Sequence, residues 1–256
     1  MSVVVVGSVA GSPGASRLAV GLAASWPVRG SRRVLVEADP DGGRLGAELG
    51  IGVEPGLMAL ALAARSTAMT ADELLERGAA AVADWSVIAA PPSSEQADSA
   101  LVHAAPSLAA VMDRSAATTW LVDAGRLSTR SPSMAFAAVA ARVLVVTGGS
   151  FPLLQLLPHR VEALRRAGCR VEVVVVEPTS WTPDEVAEFV SADVAAVLPA
   201  VRSRRDDLAA MRSTAWRPWW AAVDGLGAYL VSTLPSLEPE PEPEPEADDV
   251  AEVVGP

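Results

Sequence analysis

The first 24 residues have the pattern of a strand, a glycine-containing turn and a helix in direct succession. Residues 3–6 are all valine, residues 7–16 are mostly small, and residues 18–24 are apolar enough for a buried helix. A phosphate-binding loop needs this arrangement, because glycines let backbone N–H groups face the anion and the helix N-terminus adds a partial positive charge. Such a loop also uses a lysine before its Ser or Thr, and here Ala15 precedes Ser16. The sequence contains no lysine at all, so the loop has the shape of a phosphate site without its usual charge.

Further valine- and leucine-rich runs alternate with alanine-rich amphipathic stretches along the chain. Strands are predicted at 33–37, 119–125, 141–147, 171–177 and 194–199, and helices at about 57–65, 70–83, 97–113, 133–141, 152–167 and 183–192. Apolar runs without polar alternation are typical of strands that helices cover on both faces. The sequence therefore predicts an α/β fold, a doubly wound and mostly parallel sheet flanked by helices, that forms one domain over residues 1–235.

The acidity of the chain is concentrated at its C-terminal end. The formal net charge is −11, but residues 238–256 contain eight acidic residues and no basic one, so the rest of the chain is close to neutral. Alternating Glu and Pro cannot form a packed core, and we predict a solvated tail over residues 236–256. Such a tail increases solubility or, alternatively, docks on a basic partner. The near-neutral body gives no clear footprint for nucleic acid.

The loop resembles that of the MinD/ParA family of P-loop ATPases, which reads roughly Lys-Gly-Gly-x-Gly-Lys-Thr-Thr. Three positions keep the family residue: Gly11, Gly14 and Ser16. Three depart from it: Ala10 replaces the signature lysine, Ser12 replaces a glycine and Ala15 replaces the P-loop lysine. The resemblance implies a cytoplasmic P-loop domain that binds Mg-ATP between the carboxyl ends of its strands.

Later segments follow the order of the same family. Residues 33–43 resemble its second strand and the Asp-x-Asp-Pro-x-x-Gly motif, with Glu37 in place of the first Asp. Asp39 then matches the carboxylate that orients the attacking water, the one catalytic position that the resemblance implies. Asp123 ends a strand that is similar to the Walker B strand and matches the carboxylate that acts on Mg²⁺. Pro199 ends a strand near the expected place of the nucleotide base.

The resemblance thus implies a site made of few residues. Those expected to bind the cofactor are Gly11, Ser12, Gly14, Ala15, Ser16 and Pro199. Ser16 and Asp123 are the expected Mg²⁺ ligands if nucleotide binds. Because both lysines are missing, we expect a pseudo-ATPase rather than a working enzyme, and Mg-ATP is expected to be a weak cofactor or none. Glu177, where the family commonly has an Asn that reads the base, also argues against ordinary ATP recognition.

Two alternatives remain open. In the first, the protein is a slow ATPase in which an arginine supplies the missing charge. Arg202, Arg204 and Arg205 follow Pro199, and Arg17 follows Ser16, although one further helical position turns a side chain by about 100° away from the phosphates. In the second alternative, the chain is a Rossmann-like module that binds another small anion through backbone amides alone.

The resemblance also implies a role and partners. Relatives act in chromosome partition, division-site placement, and assembly of pili or secretion machinery, so we expect a positioning or assembly factor with a protein partner and a homodimer as one form. The last predicted helix contains Trp216, Trp219 and Trp220, and relatives use a C-terminal helix to bind membranes. This helix has no basic residue after Arg217, so packing against the domain is favoured over membrane contact.

The other polar residues suggest no further chemistry. His103 and His159 are isolated from metal-ligand spacing, so surface positions are expected for both. A single cysteine, Cys169, and the lack of a signal-peptide pattern or a long apolar span predict a cytoplasmic protein. Contact with the inner face of the membrane is the less favoured alternative.

Overall fold

The computed structural model describes residues 2–11, 14–28, 30–64, 69–115, 117–201, 211 and 213–234. Ser12, the arginines at 202, 204 and 205, and the predicted acidic tail 236–256 lie outside these residues. The interpretations that involve them stay predictions.

Eight strands of the described chain form one sheet. They are β1 (Ser2–Ser8), β2 (Arg32–Glu37), β3 (Ala80–Val82), β4 (Trp85–Ile88), β5 (Thr118–Arg126), β6 (Arg142–Gly148), β7 (Val171–Val176) and β8 (Val194–Leu198). The spatial order is β3-β4-β2-β5-β1-β6-β7-β8, and every neighbouring pair is parallel except β3 with β4. The predicted fold class, a doubly wound and mostly parallel sheet with flanking helices, is confirmed.

Helices cover both faces of the sheet. They are α1 (Ala15–Ser25), α2 (Leu45–Glu48), α3 (Leu57–Ala63), α4 (Ala71–Gly78), α5 (Ser94–Arg114), α6 (Met134–Val139), α7 (Phe151–Leu154), α8 (Leu157–Arg166), α9 (Pro183–Val190) and α10 (Arg217–Thr233). Side chains of a strand alternate between its two faces, so β1 divides the core. Val4 and Val6 join the cluster that includes α1 and α10, while Val3 and Val5 join the cluster of α5 on the opposite face.

The predicted helix 70–83 is wrong in its last part. Helix α4 ends at Gly78, where a Cβ would lie 2.5 Å from Cγ of Leu60, so only glycine fits against α3. The chain then forms β3 and turns at Ala83, whose φ of 54° is left-handed, to pair antiparallel with β4. These short strands were not predicted.

The predicted helix 152–167 is two helices. Helix α7 ends at Leu154 and α8 begins at Leu157, with Pro158 in its first turn. A proline lacks the N–H that a helix interior needs but is compatible with the first turn, so Pro158 favours a new start rather than a continuous helix.

The last helix packs on the domain through its tryptophans. Trp216 and Trp219 are buried, and the Trp219 ring lies where Gly21 of α1 leaves room, since a Cβ there would be 2.5 Å from the ring. Trp220 is half-buried, and its Nε1 donates a hydrogen bond of 2.8 Å to the carbonyl oxygen of Met211. The interpretation of this helix as a packing element is confirmed for Trp216 and Trp219. Of the helices that the structure describes, none has the length and apolar character to cross a membrane.

Candidate functional site

The loop between β1 and α1 has the backbone of an anion cradle. Gly14 directly precedes α1 and has a φ of 94°, a left-handed conformation that favours glycine. Helix α1 begins at Ala15, which is 6% exposed, and has no acidic residue in its first turn. The helix N-terminus therefore keeps its partial positive charge next to the loop.

A cleft of about 360 Å³ opens beside this loop. Its walls come from the loop, from the segment after β2 and from the end of β5: Ser8, Gly11, Gly14, Ala15, Ser16, Arg17, Asp39, Asp41, Gly42, Arg44, Glu48, Gly125 and Arg126. These segments meet because β1, β2 and β5 are parallel neighbours whose carboxyl ends share one edge of the sheet. The cleft thus brings together five residues that the sequence singled out, namely Gly11, Gly14, Ala15, Ser16 and Asp39.

Asp123 lies below the cleft and is 1% exposed. Its Oδ1 accepts a hydrogen bond of 3.1 Å from the N–H of Gly125, whereas Oδ2 has no hydrogen-bond partner among the described residues. Burial raises the pKa of Asp123 to about 7; the Ser16 hydroxyl and the Gly125 N–H lower it, and the nearby Glu37 and Asp39 carboxylates raise it further. With this pKa, the buried carboxyl group of Asp123 is neutral below about pH 7 and charged above it. A cation next to its unpartnered oxygen would stabilise the charged form.

Glu37 has a different role from its neighbours. Its Oε1 accepts hydrogen bonds from the N–H groups of Arg44 (2.6 Å) and Leu45 (2.9 Å), and its Oε2 accepts one from Ala90 (2.9 Å). A Cβ on Gly43 would lie 2.5 Å from Oε2, so the chain after β2 wraps closely around this carboxylate. Burial nevertheless raises the pKa of Glu37 above its usual value, against the three N–H groups that lower it. Glu37 fixes one wall of the cleft, which the sequence did not reveal.

Asp39 reaches the cleft from the same wall. Its Oδ1 accepts a hydrogen bond of 2.9 Å from the N–H of Asp41, and its carboxyl group packs against Gly125, where any Cβ would overlap it. Partial burial raises the pKa of Asp39, while the charges of Arg44 and Arg126 lower it. Asp39 is thus held in a position where a water molecule in the cleft could contact it.

Two guanidinium groups flank the loop. The Nη2 atom of Arg126, the last residue of β5, lies 3.6 Å from the place of a Cβ on Gly11. Nη1 of Arg17 lies 3.9 Å from the corresponding place on Gly14, and its Cζ lies 5.2 Å from the ring centre of Trp216. Arg17 lines the cleft, but its guanidinium lies over the Trp216 ring, and the expectation that helix rotation turns it away from the phosphates stays a prediction. Arg126 was not singled out, although its position directly after the predicted strand 119–125 and three residues after Asp123 could have indicated it.

Pro199 lies beside the loop rather than in the main cleft. It lines a smaller cavity of about 50 Å³ together with Gly14, Arg17, Val176, Leu198, Val201, Trp216 and Trp219. The exposed Glu177 accepts a hydrogen bond of 3.3 Å from the N–H of Ala200 and so holds the chain after β8. Arg17 contributes to both cavities and marks the boundary between them.

Other polar groups add no second centre. Within the described ranges, no group of three His, Cys, Asp or Glu side chains is placed to hold a metal ion. His103 is exposed, and its Nδ1 lies 2.7 Å from the carbonyl oxygen of Ser99 in the same helix. The main cleft is therefore the candidate functional site.

The sheet order, the loop and the cleft define the class of fold: a doubly wound α/β domain with a phosphate-type loop after its first strand. No protein-family model matches the sequence, and no curated protein matches it. Solved structures do match. The ParA family ATPase from Chlorobium tepidum TLS has 15% sequence identity and a TM-score of 0.70, covering 89% of this chain and 96% of that chain.

Two structures of the cell-division ATPase MinD are similar as well. MinD from Pyrococcus furiosus has 16% identity and a TM-score of 0.70, with 90% of this chain and 98% of that chain covered. The septum site-determining protein MinD from Pyrococcus horikoshii, in complex with Mg-ADP, has 14% identity and a TM-score of 0.68, with 90% and 95% covered. At these identities the similarity establishes the fold, and the chain has the fold of MinD and ParA ATPases.

Proposed function

We propose that this protein is a MinD/ParA-like positioning or assembly factor with a degenerate nucleotide site that does not hydrolyse ATP. One observation carries the proposal. Ala15 lies at the first position of α1, on the wall of the cleft, where a P-loop ATPase has its lysine. The sequence contains no lysine that could replace it. An alanine offers no charge to the terminal phosphates, and loss of such a group at a phosphoryl-transfer site costs about 3 kcal/mol or more of transition-state stabilisation.

The rest of the site still suits a phosphate-bearing ligand. The cleft volume of about 360 Å³ falls in the range of small-molecule sites. Backbone N–H groups of Gly11, Gly14 and Ser16 are the proposed contacts to phosphate, as is that of Ser12, which lies outside the described residues. Pro199 is the proposed neighbour of a base.

The residues present also fit a divalent cation. Asp123 has one unpartnered, buried oxygen, and its pKa is sensitive to the hydroxyl of Ser16. Ser16 and Asp123 would hold Mg²⁺ when it accompanies a nucleotide, and Mg²⁺ would neutralise phosphate charge there. Asp39 keeps the proposed water-orienting position. Without a lysine, however, the phosphate that this water would attack is not activated.

A second candidate function is slow ATP hydrolysis with an arginine in place of the lysine. The position of Arg126 favours it: the guanidinium lies next to Gly11, and it makes no hydrogen bond or ion pair within the part of the chain that the structure describes. Arg17 is the other candidate within reach of the loop. A third reading, a module for another small anion, is supported by the same backbone and arginine groups without requiring a base or Mg²⁺.

The proposed cellular setting follows from the fold alone. The similar structures are described as a ParA family ATPase and as MinD cell-division proteins, so partition or division-site placement is the proposed process, with pilus or secretion assembly as the alternatives. We propose a cytoplasmic factor over residues 1–235 that acts on a protein partner, with a homodimer as one of its forms. Peripheral membrane contact and nucleic-acid contact are less favoured, because the body of the chain is nearly neutral.

Mg-ATP turnover of the full-length protein tests the proposal against the slow-ATPase reading. Asp39→Asn is the matched variant, since it keeps the shape of the side chain and removes its charge. The expected result is phosphate release at background level in both proteins. Turnover by the wild type that Asp39→Asn abolishes would replace the pseudo-ATPase with the slow ATPase.

A further inference from the structure

Three aromatic side chains form a patch on the surface beside the loops that follow β6 and β7. They are Phe151 at the start of α7, Trp181 before α9 and Phe189 within α9, and we call them the aromatic patch. Their ring centres lie 6.2 Å (Phe151 to Trp181), 6.1 Å (Phe151 to Phe189) and 6.4 Å (Trp181 to Phe189) apart. Phe151 is 51% exposed and Phe189 is 40% exposed, so two of the rings present much of their area to solvent.

The two phenylalanines do not belong to the buried core. Trp181 packs against that core, and each phenylalanine ring lies beside the other two rings of the patch. The tryptophans of the last helix show how this chain buries an aromatic side chain that serves stability, since Trp216 and Trp219 are nearly inaccessible. Exposed aromatic clusters of this kind mark sites of interaction.

The edge of the patch is acidic. Helix α9 carries Asp184, Glu185 and Glu188 and no basic residue. Glu185 lies one helical turn before Phe189 and therefore on the same face of α9, whereas Glu188, the neighbour of Phe189 in sequence, is turned from it by about 100°. Glu185 also caps α9: the N–H and hydroxyl of Thr182 bond to its carboxylate and lower its pKa, which keeps it charged.

The basic side chains of the neighbouring α8 are already engaged. Arg160 donates a hydrogen bond to the carbonyl oxygen of Leu127, Arg165 donates one to the carbonyl oxygen of Ser191, and Arg166 pairs with Glu162 at 2.8 Å. None of these bonds joins an arginine of α8 to a carboxylate of α9, so the described structure shows no ion pair between the two helices.

We propose that the aromatic patch is the docking surface for a basic segment of a partner protein. Arg or Lys side chains of that segment would lie on the ring faces, where cations are attracted, and its positive charge would meet the carboxylates of α9. Two other occupants fit less well. The acidic C-terminal segment of this chain, with eight acidic residues after position 237, would be repelled by α9. A second copy placed by a two-fold axis would bring two acidic α9 helices together.

The patch is also close to the candidate cleft. A Cβ on Gly149 would overlap the side chain of Thr179, so the loops after β6 and β7 are packed against each other. Gly148 and Leu153, on either side of Phe151, line a small cavity with Ala10 and Gly11 of the phosphate-type loop. A segment docked on the aromatic patch would thus lie one loop away from the proposed nucleotide site. The proposal itself is independent of whether that site binds nucleotide.

Fluorescence anisotropy with two labelled peptides tests the proposal on the full-length protein. The first is a 16-residue amphipathic peptide with Leu on one face and Arg on the other, and the second has Glu in place of every Arg. We expect the Arg peptide to bind more tightly, with an affinity that falls as salt is raised. The double variant Phe151→Ser with Phe189→Ser should weaken its binding at least about tenfold, because truncated anchors at an interface commonly cost more than 1.4 kcal/mol. The control is Leu62→Ser on α3, which is distant from the patch in sequence. The Leu62 side chain is 65% exposed, and its replacement should not change the affinity.

Glu188→Arg gives an independent arm that leaves the rings intact. This variant should bind the Arg peptide more weakly and the Glu peptide more tightly than the wild type does. The proposal is overturned if the Arg peptide binds the patch variants as tightly as the wild type, since binding through the acidic tail would give that result. It is also overturned if neither peptide binds, or if sedimentation shows a wild-type dimer that Phe151→Ser with Phe189→Ser converts to a monomer, because the occupant would then be a second copy.

Discussion

Glu37 and Asp123 lie opposite each other on the neighbouring strands β2 and β5, but only one of the two carboxylates is fully hydrogen-bonded. Glu37 accepts three backbone N–H groups, while Asp123 accepts one and leaves Oδ2 without a partner in the described structure. Glu37 therefore holds the wall of the cleft, and Asp123 is free to bind a ligand.

The buried charge of Asp123 is expected to destabilise the protein at high pH. Its pKa is about 7 in the folded protein because of burial, and about 3.9 in an unfolded chain. The folded state then binds more protons than the unfolded state between these values, so stability falls as pH rises from about 4 to about 7 and is level above that.

Asp123→Asn removes the charge and keeps the shape, so it should raise the free energy of unfolding at pH 8 by a few kcal/mol. The gain should shrink towards pH 5, where Asp123 is already neutral. Urea unfolding of both proteins at the two pH values is the measurement. Glu37 and Asp39 also have raised pKa values, and because their charges interact with that of Asp123, the difference between the two proteins includes this repulsion. An equal change at pH 5 and pH 8 would show that Asp123 is ionised throughout this range.

Removing the Glu37 side chain should have the opposite effect on stability. Glu37→Ala leaves the N–H groups of Arg44, Leu45 and Ala90 without their acceptor, and unsatisfied buried groups cost about 1–3 kcal/mol each. We expect a loss of about 3 kcal/mol or more in urea unfolding at pH 7. Glu76→Ala on the exposed face of α4 is the control and should change stability by less than about 0.5 kcal/mol. A loss for Glu37→Ala as small as that of the control would mean that water replaces the carboxylate.

The strands that build the cleft could be predicted because each contains a short apolar run without polar alternation. Residues 3–6 and 33–37 lie in β1 and β2 as expected, and with them the approximate positions of Gly14, Asp39 and Asp123. The hairpin β3–β4 could not be predicted in the same way. Residues 80–82 are Ala-Ala-Val and continue the pattern of the helix before them, whereas the helix ends at Gly78, which packs against Leu60 of α3.

The electrostatics of the site were harder to predict than its backbone. In the sequence, Glu37 is only a substitution of the first Asp of the motif. Its three N–H partners come from residues that are 7, 8 and 53 positions away and meet only in the folded chain. Arg17 was judged from the direction of its helix, whereas its position depends on the length of its side chain and on the face of Trp216. Side-chain reach and long-range hydrogen bonds are set by tertiary packing, and the local pattern does not contain them.

Restoring the lysine should improve ATP binding. Ala15→Lys places an ammonium group at the start of α1, on the wall of the cleft, and one well-placed charge on a phosphate is worth about 1.4 kcal/mol or more, a tenfold gain in affinity. Isothermal titration calorimetry with Mg-ATP is the measurement, and Ala15→Met, similar in length but uncharged, is the control. Equal affinity for the two variants would indicate that the loop no longer positions the phosphates.

The two neighbouring tryptophans of α10 should differ in their contribution to stability. Trp219 is 3% exposed and fills the space above Gly21, so Trp219→Ala should cost about 3–5 kcal/mol. Trp220 is half-buried and contributes one hydrogen bond to Met211, so Trp220→Ala should cost less, about 1–2 kcal/mol. Thermal and urea unfolding would rank them. If Trp220→Ala costs as much as Trp219→Ala, then Trp220 is a core residue in solution.

Arg126 is expected to supply much of the affinity of the cleft for phosphate groups in the absence of lysine. Its guanidinium lies beside Gly11 and has no hydrogen bond or ion pair to other described residues, so it can form a bidentate pair with phosphate oxygens. Arg126→Ala should therefore weaken the binding of pyrophosphate and of Mg-ATP by calorimetry, each about tenfold.

Arg130→Ala, four residues further on and outside the cleft, controls for a change in overall charge and should leave both affinities unchanged. Equal effects of the two variants would show that the attraction is only long-range. A loss for Mg-ATP without a loss for pyrophosphate would mean that Arg126 contacts the nucleoside rather than its phosphates. If Arg126→Ala abolished a measurable ATP turnover while Arg130→Ala did not, the arginine would be the functional replacement for the lysine, and the slow-ATPase reading would hold.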